Sequence, residues 1–175
     1  GTVTKRLPFT GLRGNIAKRM VMSVNTSALY TITLDADVTE VQKTRRQLSR
    51  DIRRVHGVGI RFVDVIALAV SNALKIHPNL NAIVVGEEAR QIKEVHLGMA
   101  IALEDGVLVP IIRNADLLSA SQIARATEYL QERAKSHKLL SEETEGNTFT
   151  ISLLGTVDVF TPIINPPAVA VLGIG

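Results

Sequence analysis

Cysteine is absent from the 175-residue sequence, which excludes a disulfide framework, a thiolate metal site and a cysteine nucleophile within it. Tryptophan is absent too, and aromatic residues make up 3% of a chain that is 46% hydrophobic. Any core must therefore be aliphatic, and general disorder is excluded. No run approaches the ~20 apolar residues that span a bilayer, and the opening GTVTKRLPFT lacks the apolar centre of a signal peptide. A soluble protein is the expectation. A large excess of one charge is also lacking, because a formal net charge of +3 is small for this size and implies no obligatory anionic partner.

What is present suits one domain. A chain of this length buries roughly 70% of its unfolded surface, and no repeat, low-complexity segment or second domain boundary interrupts it. Leu12, Ile16, Met20 and Val24 fall four apart and predict an amphipathic helix. Tyr30, Ile32, Leu34 and Ala36 alternate with Leu29, Thr31, Thr33 and Asp35, the period of a strand with one buried face. Thr39 and Gln42 have capping-box spacing ahead of a stripe of Val41, Leu48, Ile52 and Val55, and Gly57 ends that helix. FVDVIALAVSNALKI is apolar on most sides and predicts a largely buried helix stopped by Pro78.

A hairpin is expected to turn near Gly86, and two further strands around Asp105-Gly106. SASQIARATEYLQERAKSH predicts a helix capped by Ser119 or Ser121. TFTISLL and AVAVLGI predict strands flanking the proline-rich loop from Thr161 to Pro167. Hairpins mixed with helical crossovers point to an α/β fold of the mixed α+β kind, a mixed sheet with helices packed on it.

The residues alone offer little chemistry. Ser152 in FTISLLG has Thr150 and Leu154 where a hydrolase elbow needs small residues, so the spacing favours an ordinary strand serine. GVGIRF follows a helix and lacks the third glycine of a dinucleotide fingerprint, which makes it a loop. His56, His77, His96 and His137 show no metal-ligand spacing. Lys43, Arg45, Arg46, Arg50, Arg53 and Arg54 give one helix a basic face that could meet phosphates. Without interleaved aromatics a solvated face, or one that meets acidic groups of a partner subunit, is the better reading.

GLRGNIAKRM, EDGVLVPIIRNADLLSASQIA and GNTFTISLLGTVDVFTPIINPPAVAVLGIG together resemble the catalytic core of the dihydrolipoyl acyltransferases of 2-oxoacid dehydrogenase complexes. The likeness runs over essentially the whole chain in the family's order. It implies a chloramphenicol-acetyltransferase-like mixed sheet flanked by helices, forming trimers that build hollow cages. It implies acyl transfer between a dihydrolipoyl arm, carried on a separate domain, and coenzyme A, in a channel between subunits. In that reaction a histidine deprotonates the thiol, the thiolate attacks the thioester carbonyl, and a serine or threonine hydroxyl steadies the oxyanion. Ser152 matches the last role, for which it need not be nucleophilic.

The resemblance also implies partners: decarboxylase and dihydrolipoyl dehydrogenase components reached through lipoyl and peripheral-subunit-binding domains that these residues do not include. It implies no metal, nucleic acid or membrane, and a cytoplasmic place, or the mitochondrial matrix in a eukaryote. Departures are Gly146-Asn147 where the family has Gly-Gly, Leu153 where it carries a polar residue, and Ala28-Leu29 where Pro-His is frequent. The catalytic histidine's Asp-His-Arg-x-x-Asp-Gly motif is expected beyond Gly175, and none of the four histidines present inherits its role. Residues 1–175 thus read as an acyltransferase core lacking its C-terminal part, inactive alone for want of the base. The apolar finish AVAVLGIG supports the expectation that Gly175 is not a biological C-terminus. A non-catalytic assembly scaffold of the same fold is the alternative; a free-standing chloramphenicol-type enzyme is disfavoured by FTPIINPP.

Overall fold

Leu97, Met99 and Ile101 alternate with Gly98, Ala100 and Ala102, and this strand is the centre of the computed structural model. The structure describes residues 1–6, 8–103 and 106–175, with Leu12 described through its backbone only. Leu12 of the first helical stripe and Asp105 of the turn signal therefore lie outside the described side chains.

In chain order the helices are α1 (Gly11–Thr26), α2 (Thr39–His56), α3 (Phe62–Ile76) and α4 (Ala120–Lys135). The strands are β1 (Ala82–Val85), β2 (Glu88–Gln91), β3 (Leu97–Leu103), β4 (Gly106–Leu108), β5 (Ile111–Ile112), β6 (Phe149–Leu153) and β7 (Val171–Ile174). The main sheet runs β4-β3-β6-β7, with β5 also on β3. β4 and β5 pair with β3 antiparallel, whereas β6 and β7 are parallel to it. The sheet is mixed, as the order of hairpins and crossovers predicts.

One face of this sheet holds the core. Leu97, Met99, Phe149 and Ile151 pack with Ala67 and Leu74 of α3 and Ile123 and Leu130 of α4. At ~25 cal/mol per Å², each such side chain contributes about 1.5–3 kcal/mol, which offsets the ordering of these strands. α4 is capped as its sequence requires: Gln122 N donates to Ser119 Oγ, and the Gln122 side chain returns to Ser119 N. α3 and α4 are stapled by Asp64, whose side chain is fully buried and accepts from Arg61 N at 2.7 Å and from the Thr127 hydroxyl. A separate hairpin, β1 with β2, joins the body through Val84 N to Pro167 O at 2.8 Å and Val169 N to Ala82 O at 3.2 Å.

Two expectations are corrected. Residues 29–36 alternate as a strand should, yet no strand forms there, and Tyr30, Ile32 and Leu34 are 85%, 74% and 85% exposed. Alternation supplies a face, but a strand also needs a neighbour for its backbone N–H and C=O groups, and none pairs with it among the described residues. In α2 the N-cap is Val38 rather than Thr39. Thr39 N donates to Asp37 Oδ1 at 2.9 Å, so the capping box is replaced by an aspartate turn. Gly57 does close the helix, in the left-handed region at φ 74°.

The apolar stripe of α2 is also only partly used. Ile52 packs against Val58 and Ile60, while Val41, Leu48 and Val55 face solvent. α2 is held mainly by polar contacts instead: Arg45 Nη1 to Ile60 O at 3.0 Å, Ile60 N to Ser49 Oγ at 2.9 Å, and Arg125 Nη2 to His56 O at 2.6 Å.

Candidate active site

Because Phe149 and Ile151 point into the core, the strand's period of two turns Thr150 and Ser152 to the opposite face of the sheet. Ser152 is half-buried there, between Ala100 of β3 and Gly173 of β7. Its neighbours on this face are small. Gly98 and Ala100 lie on one side and Gly173 on the other, so the adjacent strands put nothing larger than a methyl group beside the hydroxyl.

Two walls rise from this floor. On the β7 side the loop after β6 folds back over the sheet. A Cβ on Gly173 would stand 3.0 Å from Pro162 Cδ and 3.3 Å from Phe160 Cζ, so both residues rest on the naked strand beside Ser152. The loop is pinned from the far side by fully buried Ser23 of α1, whose Oγ donates to Ile164 O at 2.6 Å. At the start of β6 the wall is polar. Asn147 Nδ2 donates to Thr150 Oγ1 at 3.0 Å, with the two residues 3% and 4% exposed. A Cβ on Gly98 would stand 2.8 Å from Val109 Cγ1, 3.2 Å from Thr150 Oγ1 and 3.4 Å from Asn147 Cβ, so this wall closes over Gly98.

Thr148 and Thr150 are tied by side-chain hydrogen bonds, but Ser152 carries no such tie among the described residues. A strand-held hydroxyl free to donate can stabilise negative charge developing on a substrate oxygen. A nucleophile would need a base within hydrogen-bond reach.

None of the four histidines supplies one. His96 is fastened alongside Thr148, through Thr148 N to His96 O at 2.8 Å and His96 N to Thr148 Oγ1 at 3.0 Å. Thr148 precedes Ser152 by four residues, about 13 Å along a strand at ~3.3 Å per residue. His96 Nδ1 accepts from Asn114 N at 3.3 Å. Its pKa is held below the ordinary value, first by burial and then by the Arg113 guanidinium, against the opposing pull of Glu94 and Asp116. His56 ends α2, His77 caps α3 through a bond to Ala73 O, and His137 follows α4 in a left-handed turn at φ 53°. Among the described residues no three of His, Asp or Glu cluster as metal ligands, and no helix is long and apolar enough to cross a membrane.

The basic face of α2 is a separate surface. Two of its six cations work inward: Arg45 binds Ile60 O, and the Arg53 guanidinium lies over Gly59. Lys43 and Arg54 pair with Glu40 and Asp51 of the same helix, at 3.7 and 4.0 Å. A shallow hollow lined by Gln42, Lys43, Arg46 and Gln47 opens on this face, apart from Ser152.

Sequence reasoning singled out Ser152 but missed its surroundings. Thr150 was legible from its shared strand parity with Ser152. Phe160, Pro162 and Asn147 were not, because their place beside the serine is set by how loops return over Gly173 and Gly98.

Residues 2–175 match the family described as 2-oxoacid dehydrogenases acyltransferase (catalytic domain). Over 173 residues the chain is 40% identical to the dihydrolipoyllysine-residue acetyltransferase component of the acetoin cleaving system of Bacillus subtilis strain 168, covering 98% of this chain and 44% of that protein. It thus spans less than half of that curated relative. A solved Azotobacter vinelandii dihydrolipoamide acetyltransferase, studied for the roles of a serine, a histidine and an asparagine in catalysis, superposes with a TM-score of 0.91 at 34% identity, over 98% of this chain and 72% of that one. The cubic core of a pyruvate dehydrogenase multienzyme complex gives the same figures.

Proposed function

This chain belongs to the family of 2-oxoacid dehydrogenase acyltransferase catalytic domains, and from that premise we propose that it is the core of an enzyme passing an acyl group between a dihydrolipoyl arm and coenzyme A. The observation that carries the reading is the untied Ser152 hydroxyl on a floor of small residues, flanked by one apolar and one polar wall. In the reaction a thiolate of one substrate adds to the thioester carbonyl of the other, the carbonyl oxygen becomes an oxyanion, and the tetrahedral intermediate expels the second thiolate. Ser152 donates its hydroxyl proton in a hydrogen bond to that oxyanion. One such donor is worth about 10²–10³ in rate.

Starting the reaction requires a base, because a thiol with a pKa near 8.5 is mostly protonated at neutral pH, and a positioned base contributes about 10²–10⁴. His96 is too far along the sheet, and the other three histidines serve helix ends. We therefore assign the base to a histidine outside these 175 residues; that a serine and a histidine were investigated for their catalytic roles in the Azotobacter enzyme supports a reaction of this type. The proposed substrates are the lipoyl group of a separate domain and coenzyme A, with acetyl as the first acyl group to try, after the Bacillus relative.

The same reading makes the chain a protomer of a homotrimer that builds a larger cage, served by decarboxylase and dihydrolipoyl dehydrogenase components. The exposed Tyr30, Ile32, Leu34, Val41, Leu48 and Val55 support it, since apolar surface of this extent is normally covered in an assembly. Its place is the cytoplasm, or the mitochondrial matrix of a eukaryote. The test is purification of the full-length protein, sedimentation, and assay of acetyl transfer from acetyl coenzyme A to dihydrolipoamide. A trimer or larger particle with turnover supports the reading. A particle without turnover would favour a scaffold, and a stable monomer would exclude the assembly.

A further inference from the structure

The polar wall at the start of β6 has a use that the oxyanion role of Ser152 leaves open. Asn147 and Thr150 are buried, face the same side of the sheet as Ser152, and close with Val109 over Gly98. Asn147 Nδ2 is satisfied by Thr150 Oγ1, but Asn147 Oδ1 accepts nothing among the described residues. Thr150 Oγ1, having accepted from Asn147, keeps its own proton to give. The pair therefore presents one acceptor and one donor that have no partner among the described residues.

An amide is the complement of that pair, with one N–H to give and one C=O to receive. We propose that Asn147 and Thr150 form a second polar subsite of the Ser152 face, one that takes an amide on the arm of the thiol or thioester substrate. The subsite rests on the acyl-transfer reading, since it supposes that a substrate sulfur lies at Ser152. Thr150 is two residues from Ser152, about 6.6 Å along the strand. An extended arm whose sulfur end reaches Ser152 runs along β6 past Ala100 and meets the pair where it closes over Gly98. Both proposed substrates have such an arm: coenzyme A carries amides in its pantetheine chain, and the lipoyl group ends in one. Amide recognition by this pair sets the depth to which the arm enters, which makes Asn147 and Thr150 specificity-determining residues.

The test compares substrates with and without the amide, using the full-length protein. On the acceptor side dihydrolipoamide is set against dihydrolipoate methyl ester; on the donor side S-acetyl-N-acetylcysteamine is set against S-butyl thioacetate. The unsubstituted protein is expected to prefer the amide in one of the two comparisons by about tenfold in kcat/KM, the size of one well-made hydrogen bond. That comparison identifies the source of the amide. In Asn147→Ala and in Thr150→Val the preference falls to within about twofold, with the loss carried by KM. Thr150→Val keeps the side-chain shape, so it reports even if Asn147→Ala folds poorly. Ser152→Ala, by contrast, slows both members of each comparison and leaves their ratio in place.

A preference that survives both substitutions overturns the subsite while leaving acyl transfer intact, as does no preference in the unsubstituted protein. If the protein transfers no acyl group at all, the acyl-transfer reading fails, and calorimetric binding of pantetheine and of dihydrolipoamide decides the subsite. Binding of either one about tenfold weaker in both variants supports it, and equal binding of both overturns it.

Discussion

Gly173→Ala probes the apolar wall most sharply, because the new methyl group would meet three atoms at once. Its Cβ would stand 3.0 Å from Pro162 Cδ, 3.1 Å from Pro162 Cγ and 3.3 Å from Phe160 Cζ. Each is inside ordinary contact, and neither partner is a freely swinging side-chain end, since the proline ring is fixed to its backbone. The loop must therefore lift by a few tenths of an ångström against the bond that Ser23 Oγ makes to Ile164 O. Overpacking of this kind costs about 1–3 kcal/mol. Alanine returns about 0.5–1 kcal/mol through the smaller conformational entropy of the unfolded chain. The net loss lies between about 0 and 2.5 kcal/mol, and its middle, about 1 kcal/mol, is a fall of about 2–4 °C in Tm for a domain of this size.

Activity should fall as well, by up to about tenfold, since small misplacements beside a reacting centre are expensive in rate. Thermal unfolding and acetyl transfer on the same preparation measure both. A variant more stable than its parent, with activity unchanged, would refute the seating of Phe160 and Pro162 on β7.

Three further outcomes follow from the geometry. Thr127→Val removes the hydroxyl that donates to buried Asp64 and should cost about 1–3 kcal/mol in denaturant unfolding, the loss of a buried hydrogen bond to a charged group that keeps only its Arg61 donors. Ser119→Ala removes the N-cap of α4 and should cost about 0.5–2 kcal/mol by the same measurement. His96 has a folded pKa below the ordinary value of a histidine, so the unfolded chain takes the proton more readily. Its effect is absent at high pH and grows as pH falls below about 6.5, each step down favouring the unfolded state. His96→Gln should flatten that part of the stability profile, and an unchanged profile would contradict it.

How much of this was legible in the sequence varies by element for physical reasons. Ser119 and Gln122 are local signals, three residues apart, and the cap they announce is formed. β6 and β7 were legible from short apolar runs bounded by glycine and proline, and their burial between helices and loop is what such runs require. Residues 29–36 show the limit of periodicity, since it reports which side chains share a face but is silent on whether a neighbour exists to bond the backbone. The stripe of α2 makes the same point, because Ile52 alone among its apolar residues found a partner in the body. At the site, Ser152 was placed by the motif around it. Asn147 entered only as a departure from the family's Gly-Gly, and its contact with Thr150 depends on the chain's turn into β6. Phe160 reaches Ser152's neighbour only because Gly173 has no side chain, a relation between residues thirteen apart that spacing does not reveal.

The central claim is that the Ser152 hydroxyl serves the oxyanion. Steady-state acetyl transfer from acetyl coenzyme A to dihydrolipoamide by the full-length Ser152→Ala protein, beside its parent, tests it most directly. The account predicts that kcat falls by about 10²–10³ with KM nearly unchanged and the assembly intact, because the lost hydrogen bond is made chiefly in the transition state. A kcat within about twofold of the parent's would contradict it and return Ser152 to the ordinary serines of a strand.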